Sequence, residues 1–111
     1  GGAFASIVGT MELIEKKYVE LVQGFIINKF RGDIEILKPG YRKLQQKTGL
    51  PVFGTIPMTN FEIPDEDSIG NSPKNLNWNA SNLKKLDKEI NKISKVVKSS
   101  LNIRKVENLL K

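Results

Sequence analysis

Gly24-Phe25-Ile26-Ile27-Asn28-Lys29-Phe30-Arg31-Gly32-Asp33 is the stretch on which the reading of the fold turns. Small and apolar residues give way abruptly to Asn, Lys, Arg, Gly and Asp. A short apolar run ended by polar and glycine residues, with a helical pattern behind it, is how a buried parallel strand meets the loop at its carboxyl end. In open α/β sheets, ligands collect in the crevice outside those carboxyl ends. Asn28, Lys29, Arg31 and Asp33 would then stand where a ligand binds, and a merely solvated loop is the competing reading.

Working outward towards the carboxyl terminus, Asp33 is an N-cap for a helix from about Ile34 to Thr48, and Gly49 is its stop. Pro39-Gly40 interrupts that helix, so either the first turn is separate or the helix restarts with Pro at an early position. Ile36, Leu37, Tyr41 and Leu44 are expected to face the sheet, and Lys38, Arg42, Lys43 and Lys47 to face water. Leu50-Pro51-Val52-Phe53-Gly54-Thr55-Ile56-Pro57 is a second apolar run. Strand, helix and strand at this spacing make one βαβ unit with parallel strands. Two parallel strands are not a whole sheet, since both faces need cover, so further strands are expected from upstream sequence or from a partner.

Working outward the other way, Gly1-Gly2-Ala3-Phe4-Ala5-Ser6 is a glycine-led turn opening into a helix. Phe4, Val8, Met11 and Glu15 share one face of it, flanked by Ile7 and Ile14. Backbone amides at a helix amino end attract anions, and two glycines let a ligand come close. Tyr18 to Gln23 leads into the first strand.

Beyond Met58 the character changes. Asp65, Glu66 and Asp67 are adjacent carboxylates, but consecutive side chains rarely converge on one cation and no spaced calcium loop is present, so a solvated turn is expected. The Asn-rich stretch around Trp78 reads as a linker or surface loop anchored by that Trp. Ser81 then caps an amphipathic helix with Leu83, Leu86, Ile90, Ile93 and Val97 along one stripe. Asn102 caps a short second helix, with Ile103, Val106, Leu109 and Leu110 expected inward.

Composition bounds the function. The chain has 111 residues, 39% hydrophobic and 27% charged, which suits one modest domain. No apolar run approaches the ~20 residues of a membrane span. The chain has no Cys and no His. That removes disulfides, thiolate zinc sites, cysteine nucleophiles and Ser-His triads from its own chemistry. The net charge of +6 falls entirely on residues 82–111, which carry nine Lys/Arg against three Asp/Glu. A basic helix can read nucleic acid or an anionic membrane. This one has a single Arg and no aromatic residue for stacking, so lysines on the wet side of a packed helix is the preferred reading. The chain opens on Gly rather than Met, and the expectation is a piece of something longer.

Taken together, GGAFASIVGT at residues 1–10, GFIINKFRGD at 24–33, LKPG at 37–40, TGLPVFGTIP at 48–57 and PDEDS at 64–68 closely resemble cobyric acid synthase in order and spacing over residues 1–69. The resemblance implies an α/β domain of the dethiobiotin-synthetase-like, Rossmann type, with residues 1–69 as its later half and 70–80 as an insert or linker. Residues 81–111 would be its closing amphipathic helices. It implies a cytoplasmic, glutamine-dependent, amide-forming ligase of cobalamin biosynthesis, which uses ATP and magnesium to activate corrinoid carboxylates for ammonia. The ammonia would come from a separate glutaminase domain, and neither nucleic acid nor membrane is implied as a partner.

Residue by residue, the resemblance assigns Asn28 to the adenine, with Lys29 near phosphate and Pro57 and Met58 lining the base pocket. It assigns Gly1, Gly2, Ala5 and Ser6 to a loop beside the corrinoid and the transferred phosphoryl group. Arg31 and Asp33 would orient substrate, or form a structural salt bridge with each other. No G-x-x-x-x-G-K-S/T occurs in the sequence, so the chain alone is expected to be catalytically silent. A non-catalytic nucleotide- or partner-binding module is the alternative, and exposed sheet edges would make an isolated chain prone to self-association.

Overall fold

The computed structural model describes residues 2–63 and 80–111. Gly1, the acidic cluster at 65–67 and the Asn-rich stretch with Trp78 lie outside the described residues. What is described is α/β, built on two parallel strands, β1 (Phe25–Phe30) and β2 (Val52–Pro57). The partners Phe25↔Val52, Ile26↔Gly54, Ile27↔Thr55 and Phe30↔Pro57 set the register. β1 thus continues past Asn28, where the apolar run was expected to end. An irregularity between Ile27 and Phe30 puts one extra residue on β1, and the strand resumes pairing beyond it.

The crossover helix divides where Pro39 requires it to. Residues Ile34–Leu37 form a separate 3₁₀ turn, capped by the Asp33 carboxylate accepting from the Glu35 N–H at 2.9 Å. Helix α3 (Lys38–Thr48) follows, with Pro39 in its first turn, where a missing N–H costs nothing. Gly49 ends it in the left-handed conformation at φ 72°. The 3₁₀ turn advances three residues per turn rather than 3.6, which swings Ile36 outward. It is 72% exposed instead of facing the sheet.

α1 (Ala3–Leu13) lies across α3, with Phe4 meeting Tyr41 edge to face at 6.2 Å between ring centroids. A single turn, α2 (Lys16–Val19), occupies part of the lead-in to β1. The core between α3 and the strands is small. Among the described residues Ile27, Leu44 and Phe53 are its buried apolar members, joined by Thr55 at 2% exposure. Thr55 is tolerated there because its hydroxyl is hydrogen-bonded to the Tyr41 hydroxyl. Tyr41→Phe is therefore expected to destabilise the fold by about 1–2 kcal/mol in urea unfolding, since it strands a buried hydroxyl. A cost within error of zero would show that the pair contributes nothing.

The tail closes on the other strand edge. α4 (Ala80–Ser100) and α5 (Ile103–Asn108) meet at Leu101, which bridges Gly54 in antiparallel fashion, and the Asn102 N–H donates to the Phe53 carbonyl at 2.7 Å. Asn102 caps α5 as expected, its side chain accepting from the Lys105 N–H at 3.2 Å. Ser81, by contrast, sits inside the first turn of α4, so the cap position falls outside the described residues. α5 ends at Asn108, too early for Leu110 to return to the packed side, and Leu110 is 88% exposed. Leu83 and Ile90, expected on the packed stripe of α4, are also exposed. No described helix is long and apolar enough to cross a membrane.

Candidate functional site at the carboxyl end of the strands

Because β1 and β2 are parallel, both carboxyl ends open on the same side. There a cleft of about 340 Å³ is lined by Asn28 and Lys29 from β1 and by Ile56, Pro57, Met58 and Thr59 from the end of β2. Its remaining wall comes from Phe61 and from Ile93, Val96 and Val97 of α4. Met58 is held in place by its N–H donating to the Phe30 carbonyl at 2.8 Å, one step beyond the last strand partners.

The bulge in β1 shapes the polar corner of this cleft. Lys29 adopts φ 56°, a left-handed conformation uncommon for a side chain of its size. The Asn28 Oδ1 accepts from the Lys29 N–H at 2.9 Å, a local turn that satisfies the backbone where ladder pairing is interrupted. Strain of this kind persists when surrounding structure holds it, and it concentrates at ligand sites. Both side chains are exposed. The Asn28 amide keeps its NH₂ donors and one carbonyl lone pair for a ligand, and no ion pair claims Lys29 among the described residues.

A short strap holds the far wall. The Glu62 N–H donates to the Glu89 carboxylate at 3.0 Å, and the Lys92 ammonium donates to the Asn60 carbonyl at 3.4 Å. The same ammonium stands 5.8 Å from the centroid of the Phe61 ring. Residues 60–62 are thereby tied to α4 as it passes the strand ends.

Asn28, Lys29, Pro57 and Met58, named from sequence as nucleotide contacts, line this one cleft. The residues named for substrate do not gather with them. Gly2, at φ 81°, is the N-cap of α1 and accepts the Ser6 N–H at 2.9 Å. Ala5 borders an apolar groove of about 520 Å³ between α1 and α3, rimmed by Lys43 and Lys47. Ser6 faces a different hollow, with Val22 and Phe25. Arg31 and Asp33 are exposed beyond β1 and form no ion pair with each other among the described residues, Asp33 acting as the cap of the 3₁₀ turn. Gly1 lies outside the described residues.

Sequence reasoning did not single out Phe61 or Val96, and it read Ile93 and Val97 as packing positions. Phe61 lies in a segment without helical or strand periodicity, so no spacing rule marks it. No group of three acidic side chains comes together among the described residues.

No protein-family model matches the chain, and no solved structure matches it. Curated proteins do. The chain is 53% identical over 74 residues to a protein of Thermococcus kodakarensis named "Probable cobyric acid synthase", covering 67% of this chain and 15% of that protein. It is 55% identical over 69 residues to a protein of the same name from Methanosarcina barkeri, covering 62% and 14%. It is 56% identical over 70 residues to the "Cobyric acid synthase" of Carboxydothermus hydrogenoformans, again covering 62% and 14%. The chain spans about 15% of the length of the curated relatives it matches. Identity at this level, across 69 to 74 of its 111 residues, means that the matched two thirds of this chain corresponds to a short segment of cobyric acid synthase.

Proposed function

We propose that this chain supplies the base-binding part of an ATP site in an amide-forming, glutamine-dependent ligase of cobalamin biosynthesis. The observation that carries this reading is the presence of Asn28 in the cleft at the strand ends, with Pro57 and Met58 beside it. A primary amide can donate to a ring nitrogen of adenine while accepting from its exocyclic amine, a two-point match that phosphate or water would not reward. Lys29, at the same corner, is suited to the negative charge that leads away from the base.

ATP, when bound, would supply the phosphoryl group that activates a carboxylate for amide formation. The chain's own residues would bind and orient the base. Its sequence contains no triphosphate-cradling G-x-x-x-x-G-K-S/T, so that function would fall to other parts of the protein. In this reading the domain is dethiobiotin-synthetase-like and Rossmann-type, residues 1–69 and 81–111 belong to it, and 70–80 are an insert. The corrinoid would approach Gly2, Ala5 and Ser6 at the amino end of α1, with Arg31 and Asp33 beyond β1. Ammonia would come from a glutaminase domain elsewhere, and the chain by itself would be catalytically silent.

Calorimetric titration of the complete polypeptide with ATP and magnesium tests this. Asn28→Ala is expected to weaken ATP binding about tenfold, the loss of roughly 1.4 kcal/mol of paired hydrogen bonding. Unchanged affinity would remove the adenine role. A second reading is a self-sufficient nucleotide- or partner-binding module without catalysis. Titration of the 111-residue chain alone separates the two, since tight binding by the short chain would support the module.

A further inference from the structure

We infer that Phe61 is the stacking platform for the base in this cleft, an inference that rests on the nucleotide reading above. Phe61 belongs to a segment with no helix or strand of its own, yet that segment is tied to α4 on both sides of the ring. The Asn60 carbonyl accepts from Lys92, and the Glu62 N–H donates to Glu89. The Lys92 ammonium also stands over the ring, 5.8 Å from its centroid. Three contacts from one helix to three consecutive residues tether the backbone around an aromatic side chain that is only half-buried and lines the cleft, with a cation over its ring.

The surroundings suit a flat heteroaromatic ring. Pro57, Met58, Ile93 and Val97 give apolar walls, and Asn28 places one amide among them. Aliphatic walls grip a planar ring without specifying it, whereas an aromatic face adds stacking that any purine or pyrimidine can use. A cation held against the ring by the protein stiffens it further, since the ammonium gains from the ring's π-density. Asn28 would then select among bases, and Phe61 would supply affinity for all of them.

The test uses the complete polypeptide carrying this chain, titrated with ATP, GTP, CTP and inorganic tripolyphosphate. Phe61→Leu is expected to weaken all three nucleotides roughly 5- to 150-fold, the range of base stacking on an aromatic side chain, and to leave tripolyphosphate unchanged. Phe61→Trp is expected to restore the nucleotide affinity, and its added fluorescence to be quenched by ATP but not by tripolyphosphate. That optical readout stands even if the leucine variant fails to fold. Nucleotide affinity within twofold of wild type in Phe61→Leu, or an equal loss for tripolyphosphate, would overturn the inference. An indole signal indifferent to ATP would do the same. If Asn28→Ala weakens ATP while Phe61→Leu does not, only the stacking role fails. If Asn28→Ala has no effect on ATP, the nucleotide reading fails and the stacking role goes with it.

Discussion

Gly54→Ala is expected to lift the two carboxy-terminal helices off the sheet, at a cost of about 4 kcal/mol or more. Gly54 sits at φ 148°, and a Cβ built there would lie 2.2 Å from the Ser100 carbonyl oxygen and 3.0 Å from the Leu101 Cα. Both obstacles are backbone, so no side-chain rotation relieves them. The only relief is separation of the α4–α5 junction from β2, which would also break the bond from the Asn102 N–H to the Phe53 carbonyl. Because α4 forms one wall of the cleft, the nucleotide binding proposed for it should weaken along with stability. Urea unfolding should show a lower midpoint, and hydrogen exchange should show faster loss of the Asn102 amide proton. An alanine variant with wild-type stability and a protected Asn102 amide would mean that the junction does not rest on β2.

Leu44→Ala is the second large effect, with an expected cost of about 2–5 kcal/mol. Leu44 is 2% exposed and one of three buried apolar side chains among the described residues. Leu44 also borders the groove between α1 and α3 beside Phe4 and Val8, so truncation removes apolar contact on that side too. A loss of that size is a large share of the roughly 5–15 kcal/mol that holds a typical domain together. Chemical denaturation of the same polypeptide measures it directly. A cost below 1 kcal/mol would indicate that α3 is not the cover of this sheet.

The local elements were legible because their signals are local. The apolar run at Phe25–Ile27, the Asp33 cap, the Pro39 interruption, the Gly49 stop and the Asn102 cap each depend on residues within a few positions of one another. The polar corner of the cleft was legible for a related reason, since Asn28 and Pro57 lie near the carboxyl ends of two parallel strands. Four departures had non-local or geometric causes. β1 ran on to Phe30 through a bulge, and Ile36 turned outward on a 3₁₀ turn. Leu110 lay past the end of α5, and Leu83 and Ile90 of the α4 stripe stayed exposed among the described residues.

What the sequence by itself determined was the order of elements, the parallel βαβ unit, the basic tail and the likeness to cobyric acid synthase. Periodicity, caps and motif spacing are all properties of neighbouring residues. Only the tertiary structure decided that α4 and Phe61 close the cleft, that Gly54 admits the tail to the edge of β2, and that Thr55 is paid for by Tyr41. Each of these joins residues far apart in the chain through contact distance and backbone geometry, which no local pattern encodes.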